Sequence, residues 1–237
     1  MTVRKRISTG TNGAIARIFR RLEYRKLATI YCYEGGGAFW KAKRAPCMRL
    51  GKAVAKALLR RLPPGGRSLY VGAGVAEIPP LVVEAMDLNR SVAPYNLRRA
   101  EVASLNRSCA GSKIRFRAKD AAAASGRYDH LWIVSVLNDP ERFPHLSPLS
   151  YGRADPVSFQ PARFDRERRI VRTIVNRCLP KLTLPGLVTT STEEVVWIAD
   201  WCHRHRIPYL VERKAYPTAL VGDPICFVRI GKRKWKS

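Results

Sequence analysis

The segment Ser68-Leu-Tyr-Val71, followed by Gly72-Ala-Gly74 and then by Ala76 to Leu88, constrains this chain more than any other. Four residues of strand character run into a turn with two glycines, and the turn opens a helical pattern whose Pro79 and Pro80 fall in its first turn, where proline is tolerated. A strand that enters a helix through glycine is the opening unit of an open α/β sheet. In such sheets ligands bind beyond the carboxyl ends of the strands, beside the first of them.

The rest of the sequence repeats the alternation. Strand patterns are expected at 68–71, 91–96, 113–117, 130–137, 186–191, 209–212 and 225–230. Helical patterns are expected at 76–88, 97–107, 165–179 and 192–204. His130-Leu-Trp-Ile-Val-Ser-Val-Leu137 is a continuous apolar run, as in a strand covered on both faces. The last two strand patterns have no helix between them, which predicts an antiparallel hairpin. The expected fold is therefore α/β: a doubly wound, mostly parallel, seven-stranded Rossmann-like sheet with a closing hairpin. Before it, residues 13–27 and 48–62 read as basic amphipathic helices around Tyr31-Cys-Tyr-Glu-Gly-Gly-Gly-Ala-Phe-Trp40. The break Pro63-Pro-Gly-Gly66 places a basic helical extension at 1–65 and the sheet domain at 66–237.

Composition narrows the partners. The 237 residues carry 44 Lys and Arg against 18 Asp and Glu, a formal charge of +26, so binding to polyanions, nucleic acid above all, is expected. Hydrophobic residues are 46% of the chain, enough for a core, and no apolar run approaches the roughly 20 residues that span a bilayer. Six dispersed cysteines without a Cys-x-x-Cys pair fit reduced, buried thiols and a cytoplasmic setting. The Arg- and Lys-rich first 27 residues also have the composition of a mitochondrial transit segment, so import is the other reading of that segment. In Trp201-Cys-His-Arg-His205 three metal-capable groups stand beside arginines with no second cluster, which argues against a metal site.

The turn selects among nucleotides. A dinucleotide fingerprint requires glycine where Glu77 stands, and a carboxylate there opposes a pyrophosphate; no Gly-Lys-Ser/Thr follows to make a P-loop. The element order, the Gly72-x-Gly74 turn, Asp120 after the third strand and the closing hairpin together resemble the class I S-adenosylmethionine (SAM)-dependent methyltransferases, over about Arg67 to Ile230. The resemblance implies SAM as cofactor, with Gly72, Ala73 and Gly74 at its amino-acid end. It implies Asp120 and Ala121 at the adenine, Asn96 at the ribose, and Ser135 to Leu137 facing the transferred methyl. The sequence departs from the family's pattern at Tyr70 and Asn96, where acids are usual, and at Ala76, where the last glycine is usual. Asp87 or Glu101 are the alternatives to Asn96.

Asn138-Asp139-Pro140 stands where amino-group methyltransferases carry Asn/Asp-Pro-Pro-aromatic, which implies Asp139 as a substrate-side carboxylate and Asn138 as its hydrogen-bonding partner. The long, aromatic stretch 140–164 reads as a substrate lid. Thr189 to Glu194 ends a strand and caps the next helix, with Glu193 a candidate for the crevice, and 216–224 is a candidate to complete the pocket. Three functions remain open on sequence: a methyltransferase acting on RNA held by the basic extension, one acting on a small molecule or protein, and an inactive relative that binds RNA.

Overall fold

The computed structural model describes residues 6–30, 36–217 and 223–231. By its internal contacts the chain divides into two compact units, Met1–Ala124 with Tyr216–Gly222 and Ser125–Ala215 with Asp223–Ser237. Six strands are described, one fewer than expected, and their senses are mixed.

The first unit holds helices α1 (Thr9–Arg21), α2 (Tyr24–Ile30) and α3 (Gly36–Leu58), then β1 (Arg67–Val71), α4 (Ile78–Met86), β2 (Ser91–Tyr95) and α5 (Arg99–Ser108). β1 and β2 are parallel, Val71 opposite Tyr95. Helix α4 is apolar nearly all round and almost wholly buried, because α1, α3 and the β1–β2 layer all pack around it. Helix α1 is capped by Ser8 and buries Ile15, Ile18 and Phe19, while Thr11 Oγ1 and Ser8 N both donate to Asp87, just past α4. The N-terminal helices thus share the core of the unit that contains β1.

Two sequence expectations change here. The segment 113–117 forms a single bridge, Tyr95 opposite Arg117, in place of a strand. Arg117 makes the bridge, its N–H donating to the Pro94 carbonyl at 2.9 Å and its carbonyl accepting from Asn96 N–H at 3.0 Å, and Pro94 has no N–H with which to continue the ladder towards Arg115. On the other edge the Asn106 side chain takes both backbone groups of Phe116, donating to its carbonyl at 3.0 Å and accepting from its N–H at 2.8 Å. Helix α3 begins at Gly36, twelve residues before the expected start at 48, and runs through Pro46. Trp40, which it buries, packs against Tyr24 of α2 at a ring distance of 5.8 Å, and that contact extends the helix beyond its amphipathic portion. Tyr31 and Tyr33 of the segment between the two expected helices lie outside the described residues.

Gly51 sets how closely α3 approaches the start of α4. A Cβ there would lie 2.7 Å from Pro79 Cγ and 2.8 Å from the Ala76 carbonyl oxygen, so any side chain would push α3 off the turn that follows β1.

The second unit holds β3 (Tyr128–Ile133), α6 (Leu146–Ser150), α7 (Pro161–Cys178), β4 (Leu182–Ser191), α8 (Val195–Arg204), β5 (Tyr209–Val211) and β6 (Ile225–Ile230). β3 and β4 are parallel; β6 runs antiparallel to both β4 and β5, which is the expected closing hairpin. Cys47, Cys109, Cys178, Cys202 and Cys226 are free and buried, and Cys32 lies outside the described residues. Among the described residues, no helix is long and apolar enough to cross a membrane.

Candidate cofactor turn and acceptor cluster

β1 ends at Val71, and Gly72 adopts φ +71, a left-handed conformation that glycine alone adopts without strain. Gly72 is exposed, whereas Ala73, Gly74 and Val75 are buried, so the turn presents a bare backbone at the carboxyl end of the strand. Its remaining groups are pinned. Ala73 N–H donates to the Tyr95 carbonyl at 2.9 Å, and the Ala73 carbonyl accepts from Asn96 Nδ2 at 2.9 Å. Gly74 N–H donates to Glu77 Oε2 at 2.8 Å. The carboxylate that argued against a dinucleotide therefore occupies a turn amide that a phosphate would need.

Asn96, 8% exposed, is a strut of this turn. Besides its bond to Ala73, its Nδ2 donates to Glu101 Oε2 at 3.1 Å and its Oδ1 accepts from Arg98 N–H at 2.8 Å. Both amide protons are committed within the protein. Asp120 is exposed and caps the short 3-10 turn Ala121–Ala123, accepting from Ala122 N–H at 2.9 Å, while Ala121 is buried.

Tyr70 stands where an acid is usual, and its hydroxyl points inward. It donates to Glu84 Oε1 at 2.5 Å, within a fully buried network in which Ser68 Oγ also donates to Glu84 and Arg90 Nε pairs with it at 3.1 Å. Burial and the Glu84 charge hold the Tyr70 phenol protonated, well above its usual range. The residue at this position thus faces the β1–α4 layer.

In the second unit, the backbone after β3 is organised by one carboxylate. Glu194 is fully buried; its Oε1 accepts from Val136 and Leu137 N–H, both at 2.6 Å, and its Oε2 from Ser135 N–H at 3.0 Å and Ser191 Oγ at 2.9 Å. Three consecutive amides converging on one anion form a nest that holds Ser135 at φ +54. The expected strand 130–137 therefore stops at Ile133: the amides of 135–137 serve Glu194 and not a ladder. Desolvation raises the Glu194 pKa, with the amide donors opposing it. Glu194 also closes the Ser191 capping box foreseen in the sequence.

Asn138 and Asp139 part company. Asp139 is half-exposed and caps its own turn, accepting from Glu141 N–H at 3.0 Å. Asn138 is completely buried in a polar cluster with Tyr151, Thr192, Glu193 and Asp223. Its Nδ2 donates to the Tyr151 hydroxyl at 2.9 Å and to Asp223 Oδ2 at 3.1 Å. The other Asp223 oxygen accepts from Thr192 Oγ1 at 2.9 Å and Glu193 N–H at 3.2 Å. Asn138 Oδ1 has no partner among the described residues, although a buried acceptor left unpaired is costly. Burial and the Asp223, Glu194 and Glu193 charges push the Tyr151 phenol up, so it stays protonated. Burial, with Asp223 adding to it, also raises the pKa of the half-buried Glu193.

The sequence singled out Asn138 and offered the segments that hold Tyr151 (140–164) and Asp223 (216–224), but nothing in it shows that these two side chains bond Asn138, from 13 and 85 residues away. Asp223-Pro224 closes the segment 216–224, most of which (218–222) lies outside the described residues. The 140–164 stretch contains α6, whose first amides are held by Glu167: its Oε2 accepts from His145 N–H at 3.0 Å and Leu146 N–H at 2.8 Å.

No protein-family model matches the chain, and no curated protein is significantly similar to it in sequence. Solved structures are similar in fold. Magnesium protoporphyrin IX methyltransferase from Synechocystis PCC 6803, with bound SAM, is 12% identical over 81% of this chain and 83% of its own, at TM-score 0.50. The 1,6-didemethyltoxoflavin-N1-methyltransferase of Burkholderia thailandensis, with bound 1,6-didemethyltoxoflavin and S-adenosylhomocysteine, is 15% identical over 95% and 91%, also at 0.50. An exposed glycine turn after the first strand, a parallel β1–β2 pair and a closing antiparallel hairpin accompany that likeness. The chain has the Rossmann-like α/β fold of the class I SAM-dependent methyltransferases.

Proposed function

We propose that this protein is a SAM-dependent methyltransferase whose acceptor is a nitrogen carried by RNA. The observation that carries the reading is the turn at Gly72: an exposed backbone with positive φ at the end of β1, pinned by Ala73 and Asn96. Bound SAM supplies an activated methyl on a sulfonium. Gly72, Ala73 and Gly74 would hold its amino-acid end, and Asp120 with Ala121 its adenine. The ligand's ammonium and sulfonium are cations, so the buried Glu77 supplies beside the turn the negative charge that Tyr70 does not. Asn96 serves this site by fixing the turn.

Methyl transfer needs an aligned electron-rich acceptor more than a dedicated catalytic group. Asn138 Oδ1 is a buried acceptor without a partner among the described residues, which suits the N–H of an amino group and leaves that nitrogen's lone pair free to attack. Asp223 and Tyr151 hold the Asn138 amide in this orientation, Ser135 lies in the backbone nest beside it, and the half-exposed Asp139 of the next turn would be the substrate-side carboxylate. RNA is favoured by charge: helices α1, α2 and α3 carry eleven Lys and Arg and no acid. A small-molecule acceptor is the second reading, favoured because the two similar proteins above are named for small-molecule substrates.

The test is calorimetric titration of the whole protein with SAM, followed by tritiated-methyl transfer from SAM to total RNA. Glu77→Gln should weaken SAM binding at least tenfold. Asn138→Ala should abolish transfer while SAM affinity is kept. Absence of SAM binding by the native protein refutes both the RNA and the small-molecule readings and leaves the inactive RNA-binding relative.

A further inference from the structure

The unit that contains α7 carries a charged face that the methyltransferase reading leaves unused. Helix α7 holds six arginines in 18 residues, and they divide by helical position. Arg168 and Arg172 lie on the half-buried flank and are neutralised there, by Asp165 at 3.0 Å and Asp200 at 3.7 Å. Arg163, Arg166, Arg169 and Arg177 fall on the exposed side. Among the described residues the acids on and beside α7 are already engaged: Asp165 by Arg168, Asp200 by Arg172 and Arg204, and Glu167 by the amides of His145 and Leu146. The guanidinium groups of Arg166 and Arg169 have no hydrogen-bond or ion-pair partner among the described residues. Arg163 reaches only His145 Nε2, at 3.5 Å.

This arrangement does not help the helix itself. Its first turn contains no acid and does contain Arg163, with Arg166 one turn on, where the positive end of the helix dipole opposes a cation. An external anion reverses that penalty. We infer that the exposed face of α7 is a second nucleic-acid contact surface, with Arg166 and Arg169 each engaging a phosphate of the RNA backbone; this rests on the RNA reading above. Successive turns of a helix present such side chains about 5 Å apart along its axis, a spacing that a phosphodiester chain can follow. Guanidinium forks bind phosphate oxygens through paired N–H donors, which accounts for arginine in place of lysine. A lipid surface is disfavoured because Ile170 is the one sizeable apolar side chain exposed on the helix, too little to insert.

The experiment measures binding of the full chain to a fluorescent RNA hairpin with a 20-base-pair stem, from 0.05 to 0.4 M NaCl. Arg166→Gln/Arg169→Gln is compared with wild type and with Arg17→Gln/Arg20→Gln. Each lost phosphate contact should reduce the slope of log K against log salt by about 0.9, and at 0.1 M salt two contacts amount to a loss of about sixty-fold in affinity. SAM titration and thermal midpoint should be unchanged in the α7 variant, which excludes misfolding. If RNA affinity and slope in that variant match wild type while Arg17→Gln/Arg20→Gln binds more weakly, the α7 surface is overturned and the RNA reading survives. If the native protein does not bind the hairpin, both are overturned, and the SAM titration alone decides whether methyl transfer stands. Binding to vesicles containing phosphatidylserine that falls in the α7 variant, with RNA affinity intact, also overturns the proposal.

Discussion

Asn96→Asp separates two roles for one residue. Were Asn96 a ribose ligand in the manner of the usual acid, aspartate should improve SAM binding. The structure predicts the reverse. Aspartate is isosteric and keeps the bond from Arg98 N–H, but it cannot donate to Ala73 or Glu101. Losing a donor to the Glu101 carboxylate costs about 1.5–3 kcal/mol, and losing the one to the Ala73 carbonyl about 1 kcal/mol more. The new carboxylate would also face Glu101 across the present 3.1 Å contact, where like charges repel by about 5 kcal/mol at an effective dielectric of about 20. The pair would escape most of that by sharing a proton, as close carboxylates do. The net expectation is a loss of about 3–5 kcal/mol near pH 8. The sign of its pH dependence follows from the shared proton. One carboxyl then has a folded-state pKa above its unfolded value, so the folded variant binds more protons than the unfolded chain and stability falls as pH rises. The deficit should shrink towards pH 5. Urea unfolding of wild type and variant at pH 5.5 and 8, with SAM calorimetry at both, measures it. A variant as stable as wild type at pH 8, or one that binds SAM more tightly, refutes the strut.

Gly51→Ala should destabilise the protein by about 1–3 kcal/mol in urea melts, although alanine is the better helix former, because its Cβ would meet the Ala76 carbonyl and Pro79. Glu194→Ala should cost about 3–5 kcal/mol, since it strands the amides of Ser135 to Leu137; protection of those amides in hydrogen exchange should fall first. Glu23 receives Lys26, Arg107 and Ser104, and these hydrogen bonds, led by Lys26, lower its pKa to about 2. Its stabilising contribution is therefore present above its unfolded pKa of about 4.3 and lost as pH falls towards 2; wild type should exceed Glu23→Gln in stability at pH 6, with the difference closing through that window.

What was legible in the sequence was what depends on local periodicity. The strand–glycine–helix unit at 68–86, the alternation of strands with helices, the hairpin at the end and the cap at Ser191 follow from side-chain spacing and turn chemistry, which act within a few residues. The same spacing misjudged 113–117 and 130–137. There the pairing depends on partners far along the chain: Pro94 has no N–H to carry the ladder on to Arg115, and Glu194 claims the amides of Ser135 to Leu137.

The sequence by itself determined the layered α/β architecture, the glycine turn and the positive charge, because each is a property of neighbouring residues or of their sum. Only the tertiary structure decided what the polar side chains do. It turned Tyr70 into the buried Glu84 network, made Asn96 a brace for the turn, and set Asn138 beside Asp223, 85 residues away. A buried polar group must find its partner wherever the fold brings one within hydrogen-bonding reach, and that distance is written in the packing, not in the order of residues.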